Sequence, residues 1–425
     1  MSTHRPFRVT VAALLATGLA LAGCTSGSGT SKDNGKSGGS SGSTTSGSQS
    51  STSAAPAAPA VLALNPANGA KNINPAVPIT ATVKDGTISS ATLVSSTNTV
   101  VKGAVAAAGT SWKSARALGY GKTYTLKVTA KNADGKVVTE ASKFTTVTPN
   151  NVTMPYLQDT YNTGLVKGGT YGVGMIINIH FDEPITNRAA AEKAISITST
   201  PAVTGAFYWL SNQVVHWRPK AYWKPGTIVT VKANTYGVQL SNGLYGQADK
   251  ATSFKIGASH VCIASDKTYM VTCRTNGKAV KTMPTAMGQH ITIQGKNGPV
   301  SLYTPQGTYT VMDHNTSVVM DSASFGVPHS SPYGYKETIY WATRISNGGV
   351  FLHELDSTVW AQGHQDISHG CLNLNHTNAV WFYHYSQIGD VVTVTDTNGP
   401  TLTVSDGGDW TVSWATWLKG GVNKA

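Results

Sequence analysis

The residues best equipped for covalent chemistry lie in Ile367-Ser368-His369-Gly370-Cys371-Leu372-Asn373, with His353 upstream. The run reads as a strand, where residues i and i+2 point to one side. The thiol of Cys371 and the imidazole of His369 then share a face, and Gly370 leaves the backbone between them open to a substrate. A histidine beside a cysteine lowers the thiol pKa and supplies a thiolate near neutral pH, as a covalent cysteine mechanism requires. Two imidazoles compete for the proton. His369 is adjacent by strand geometry, whereas His353 must arrive from a facing strand. The bland alternative is a core cysteine, since this residue type is among the most buried.

Spacing decides against the bland alternative. His353, fourteen residues (354–367), then Ser368-His369-Gly370-Cys371-Leu372-Asn373 combines a fixed interval with several specified residue types. The pattern resembles the signature of L,D-transpeptidases, enzymes with the YkuD-type catalytic domain, and the likeness extends over roughly residues 257–397. The modules before it resemble those of actinobacterial members.

The resemblance implies a β-sandwich-like catalytic fold with the cysteine at a strand end beneath a loop lid. It implies an acyltransferase that takes a peptidoglycan tetrapeptide stem onto Cys371 as a thioester. The acyl group then passes to the side-chain amine of a neighbouring stem, giving a 3→3 cross-link. Within the family pattern His353 accepts and returns the proton, and His369 shapes the site by hydrogen bonding. Tyr335 matches a lid tyrosine, and Gly348 and Gly349 match a strand edge along which a stem can lie. Gly370, Asn373 and Glu354 complete the expected substrate-binding set. Glu354 stands where close relatives carry serine, which leaves its backbone carbonyl to orient His353. Backbone N–H groups around Gly370 and Cys371 are the natural oxyanion donors. Carbapenem-type β-lactams are expected to acylate Cys371. No metal and no cofactor is called for, and His329, His364, His376 and His384 lack ligand spacing.

These residues need a scaffold, and the 425-residue chain has room for about three domains. Charged residues make up 12% and glycine is abundant at 44, which suits β-rich extracellular modules better than long solvated helices. The net charge of +12 is spread thinly. It fits an anionic surface such as a cell wall, and no nucleic-acid-binding motif is present.

Residues 1–23 read as a lipoprotein signal peptide: His4, Arg5 and Arg8, an apolar stretch, then Leu21-Ala22-Gly23-Cys24, which resembles a lipobox. Acylation of Cys24 would anchor the protein to the outer face of the cytoplasmic membrane. Residues 24–60, rich in Ser and Gly, form an expected disordered tether reaching roughly 35 Å on average. Residues 61–148 and 149–256 each alternate in short strands separated by turn signals, as two immunoglobulin-like β-sandwiches do. Residues 257–397 are the catalytic module, mainly β with one helix near 378–386. A Trp-rich segment, 398–425, puts Trp410, Trp414 and Trp417 on one face of an expected helix packed on the second sandwich. Cys262 and Cys273 flank a turn. A two-residue loop at Lys267-Thr268 sets them opposite each other as a cross-strand disulfide in a wide, hydrogen-bonded pair.

Three other readings remain open at this level. The same fold could attach proteins to peptidoglycan or act as an L,D-carboxypeptidase, and an inactive site would leave a wall-binding scaffold.

Overall fold

Short runs of alternating polarity become strands throughout residues 55–422, the part of the chain described by this computed structural model. The expected signal peptide, Cys24 and the 24–54 part of the expected tether lie outside the described residues.

The first module pairs two four-stranded sheets. One runs 61–65, 80–84, 111–114, 103–105, and the other 100–101, 87–95, 123–131, 137–145. In Thr123–Lys131 every second residue is buried. Leu93, Leu126, Val128, Trp112 and Phe144 meet between the sheets. The module starts earlier than expected. Ala60 belongs to its core, the Ala57 N–H donates to Asp134, and Asn132 donates to the carbonyls of Ala57 and Ala58. The backbone groups of the expected tether end are thereby satisfied by the sandwich.

The second module is also a pair of four-stranded sheets, with strand orders 155–158, 177–181, 214–219, 205–209 and 170–171, 250–256, 228–233, 195–200. Trp209, Trp217 and Trp223 are buried in its core. Gln239–Ser241 and Leu244–Gly246 form a small hairpin beside the two sheets.

The catalytic module contains two main sheets and a small two-stranded hairpin, Thr292–Gly295 with Gly298–Ser301. The strands of the main sheets are β1 (His260–Ser265), β2 (Met270–Thr275), β3 (Lys278–Pro284), β4 (Gly307–Thr310), β5 (Asp313–Asp321), β6 (Lys336–Arg344), β7 (Phe351–Glu354), β8 (Leu372–Leu374) and β9 (Val391–Thr395), with helix α1 (His376–Tyr385) between β8 and β9. One sheet has the order β3-β2-β1-β9-β4 and the other β5-β6-β7-β8. Their shared core includes Val271, Met283, Tyr309, Leu352, Leu372, Leu374, Phe382 and Val394.

Cys262 pairs with Cys273 in the register read from the sequence, and the two are joined by a disulfide. The loop, however, holds four residues, 266–269, with Tyr269 at φ 57°. That shifts the alternation by one step. The Cα atoms lie 4.0 Å apart, as in a narrow, non-hydrogen-bonded pair and not the wide one expected.

The second and catalytic modules join backbone to backbone. Gly172 N–H donates to Ile388 O at 2.7 Å and Gly174 N–H to Gly389 O at 2.8 Å. A Cβ on Gly172 would sit 2.2 Å from Asp390 N, so only glycine admits this approach. Gly172→Val is expected to lower the midpoint of thermal unfolding by several degrees, the scale of a 1–3 kcal/mol overpacking cost. An unchanged midpoint in a calorimetric scan would show that the junction is not this tight.

The C-terminal segment packs on the second module by a different route from the expected one. Its helix, α2, covers only Trp414–Trp417 and is N-capped by Ser413, so Trp410 lies outside it. The three indoles still converge on one cation. The Arg218 guanidinium lies 4.6, 5.3 and 4.5 Å from the rings of Trp410, Trp414 and Trp417. Trp417 is fully buried and donates to Ala206 O, while Trp410 donates to Gly174 O. The start of the expected tail belongs to the catalytic module, because Leu402 joins its core.

Candidate active site

Strands β7 and β8 run parallel, with Leu352 opposite Leu372 and His353 opposite Asn373. Alternation sends Leu352, Leu372 and Leu374 into the main core. It leaves Phe351, His353 and Asn373 on the other face. Cys371, just before β8, packs on that same side against the Ile339, Ala342 and Phe351 cluster. His353 is thus a diagonal neighbour of Cys371 across two paired strands, within reach of a long side chain.

The segment carrying His369 is not the extended strand expected. Gly370 adopts φ 124°, and β8 begins only at Leu372. Ser368 holds the bend: its hydroxyl donates to Cys371 O at 2.6 Å and accepts from Gly370 N–H at 3.0 Å. The Thr304 hydroxyl donates to Gly370 O at 2.9 Å. The Gly370 N–H is therefore occupied, which removes it from the expected oxyanion donors. The Cys371 N–H has no intramolecular acceptor among the described residues.

The two imidazoles are fixed in different roles. His353 Nδ1–H donates to Glu354 O at 2.9 Å, so the other ring nitrogen, Nε2, is left as the proton acceptor. Burial pushes its pKa down to about 4, which keeps the ring neutral at physiological pH. His369 Nε2–H donates to Tyr333 O at 3.0 Å, and its ring centroid lies 4.7 Å from that of Tyr335. It ties the catalytic bend to the loop above.

Cys371 departs from the expected thiolate. Burial pushes its pKa up to about 11, against the downward pull of the Phe351 backbone and the Arg344 charge. The thiol donates to Gly349 O at 3.5 Å, and no hydrogen bond joins it to either imidazole. The thiol is half-buried against Ile339, Ala342 and Phe351, and on that side desolvation outweighs the gain from separating charge between sulfur and imidazole. The resting site is a neutral thiol with a neutral base.

Two cavities meet at the sulfur. The larger, about 580 Å³, is lined by Gly348, Gly349, Arg344, Asn347, Asp406 and Leu402, among others. The smaller, about 160 Å³, contains His353, Asn373 and Glu337. Tyr335, His369, Cys371 and Met320 line both. Their roof is the β5–β6 hairpin, whose connection carries a 3-10 turn (Ser322–Phe325) and the 326–335 loop. Tyr335 is fixed there through its backbone: its N–H donates to Ser322 Oγ, and its carbonyl accepts from Ser322 N–H.

Glu354 is the expected binding residue that the site excludes. Its neighbour His353 faces the cavity, so strand alternation turns the Glu354 side chain outward, where Oε2 meets His376 Nδ1 at 2.9 Å. Only its carbonyl serves the site. Arg344, Glu337, Leu402 and Asp406 escaped sequence reading because β6 and the 398–409 segment reach the groove only through tertiary packing. No local spacing announces them.

Comparison with known proteins finds relatives of both kinds of module. Residues 258–394 match the L,D-transpeptidase catalytic domain and residues 70–239 match a bacterial Ig domain. The latter match crosses the boundary between the two sandwiches. L,D-transpeptidase 2 of Mycobacterium tuberculosis is 42% identical over 354 residues, 83% of each chain. L,D-transpeptidase 5 of the same species is 33% identical over 83% of this chain and 75% of its own. A solved structure of L,D-transpeptidase 3 from M. tuberculosis, in complex with a faropenem-derived adduct, is 32% identical. It covers 54% of this chain and 95% of its own, with a TM-score of 0.44.

Proposed function

Because the chain belongs to the L,D-transpeptidase family, and is therefore an acyltransferase, we propose that it forms 3→3 cross-links between peptidoglycan stems through a thioester on Cys371. The observation that carries this reading is the common face of β7 and β8, where Cys371 sits at the meeting point of two cavities and His353 and Asn373 line the smaller one beside it.

The donor stem lies in the larger cavity along Gly348 and Gly349. There it displaces the thiol from Gly349 O, and the sulfur turns toward His353. Sγ attacks the carbonyl of the stem's third residue as Nε2 takes the thiol proton. The oxyanion is held by the Cys371 N–H. Collapse breaks the peptide bond, and His353 returns its proton to the departing amine of the terminal residue. The acceptor amine then reaches the thioester from the smaller cavity, where Glu337 is the sole lining carboxylate and favours an ammonium-bearing side chain. Once the ammonium has lost a proton to solvent, the neutral amine attacks; His353 takes its second proton as the amide forms and passes it to the departing sulfur of Cys371. Tyr335 and His369, which line both cavities, shelter the thioester from water.

A carbapenem carbonyl presents the same electrophile to the same sulfur, so ring opening leaves a stable acyl-enzyme. Lipidation at Cys24 and the +12 net charge would hold the enzyme at the outer face of the membrane and draw it to the anionic wall.

Incubation of the purified chain with disaccharide-tetrapeptide, followed by mass analysis, tests the reading. The expected products are 3→3-linked dimers and the released terminal amino acid. Tripeptide with no dimer would indicate an L,D-carboxypeptidase. Consumption of the stem only when a protein acceptor is added would indicate protein attachment.

A further inference from the structure

Away from the groove, Asp266, His290 and Asp366 bring three possible ligand atoms within 4.8 Å of one another. They come from three separate stretches: the β1–β2 turn, the segment after β3, and the residues just before Ser368. His290 Nε2 is 2.8 Å from Asp266 Oδ2 and 3.6 Å from Asp366 Oδ2. Both acids are buried, with Asp266 only 4% exposed and the Asp366 side chain only 6%. Neither pairs with a lysine or arginine among the described residues. Asp266 Oδ1 and Asp366 Oδ2 have no hydrogen-bond partner among the described residues. Two buried carboxylates side by side, each with an orphaned oxygen, are strongly unfavourable unless a proton or a cation joins them.

We propose that Asp266, His290 and Asp366 form a binding site for a divalent transition-metal ion of the zinc type, separate from the catalytic groove. One imidazole and two carboxylates are a donor set suited to such an ion. Ligand atoms around a tetrahedral zinc lie about 3.3 Å apart, given bonds of about 2.0–2.1 Å. The 3.6 Å separation already fits, and the 2.8 Å one needs only a small opening. Calcium and magnesium favour all-oxygen shells, and the imidazole nitrogen among the three donors turns the preference toward a transition metal. His290, with a 42% exposed side chain, gives the ion a way in and leaves room for water as the fourth ligand.

The site would brace the catalytic bend. Asp366 Oδ1 accepts from Met287 N–H at 2.6 Å, and Met287 O in turn accepts from Ser368 N–H. The His290 ring stacks on Tyr303 with centroids 5.1 Å apart, and Tyr303 lines the larger cavity. An ion here would fasten the β1–β2 turn to the bend that positions Cys371. The competing arrangement is a proton shared between the acids.

The test uses the full chain carrying Cys371→Ser, so that the thiol near His353 and His369 cannot take the metal. Equilibrium dialysis against micromolar Zn²⁺ at pH 7.5 is expected to load about one ion per chain and to raise the unfolding temperature. His290→Ala, which removes a partly exposed ring, is expected to fold normally, to lose at least about tenfold in zinc affinity and to show no thermal shift. Asp366→Asn should behave likewise. Absence of zinc from the parent, or equal loading of parent and His290→Ala, would overturn the site in favour of the shared proton. Displacement of zinc by millimolar Ca²⁺ would overturn the assignment to a transition metal.

Discussion

Cys371→Ser is expected to abolish 3→3 cross-linking, with a fall of at least about 10⁴-fold in turnover and an unchanged fold. The size of the effect follows from the resting site. The sulfur is already a poorly ionised nucleophile, pushed up to about 11 by burial. A hydroxyl in the same pocket starts from a far higher pKa, and His353, lowered to about 4, is too weak a base to activate it. The fold should survive because serine is close to cysteine in size and its hydroxyl can keep the bond to Gly349 O. Dimer yield and calorimetry on the same sample separate the two effects. A variant that still makes dimers at more than a few per cent of the wild-type rate would remove Cys371 from the chemistry.

The second large effect belongs to the base. His353→Gln is expected to slow acylation by about 10²–10⁴-fold, the range for loss of a positioned proton acceptor. His369→Gln should cost less and fall mainly on KM, because His369 holds the lid through Tyr333 O and the Tyr335 ring. The pH profile separates the assignments further. Imidazole acts as a base only when neutral, and a pKa of about 4 places His353 in that form at every pH above it. The acylation rate should therefore hold level as pH falls through 6.5 and decline only as it approaches 4. A half-loss near 6.5 would mark a base with the ordinary pKa of a solvated imidazole, and equal losses for the two variants would leave proton transfer unassigned.

Much of this arrangement is visible in the amino-acid order, and the exceptions have physical causes. Period-two alternation marks the strands, and the interval from His353 to Ser368-His369-Gly370-Cys371 marks the site, because both are local properties. The register of Cys262 and Cys273 is local too; only the loop is longer than the turn signal implies, and with it the pair is narrow where a two-residue loop would make it wide. The bend at 369–371 was hidden because Gly370 permits either an extended or a positive-φ backbone, and the choice is made by Ser368 and Thr304. Thr304 is distant in sequence.

The neutral thiol was hidden for a similar reason. Its desolvation comes from Ile339, Ala342 and Phe351, which approach only when β6, β7 and β8 assemble. Glu354 is a different case. Consecutive strand residues face opposite ways, so placing His353 in the site already turned its neighbour's side chain out of it.

One measurement bears most directly on the pairing of this sulfur with this imidazole. Intact-mass analysis of the folded chain after exposure to a carbapenem, followed over time, should show a single stoichiometric adduct. The adduct should be absent in Cys371→Ala and should form orders of magnitude more slowly in His353→Gln. Folded wild-type protein that stays unmodified, or an adduct that persists without Cys371, would contradict the account.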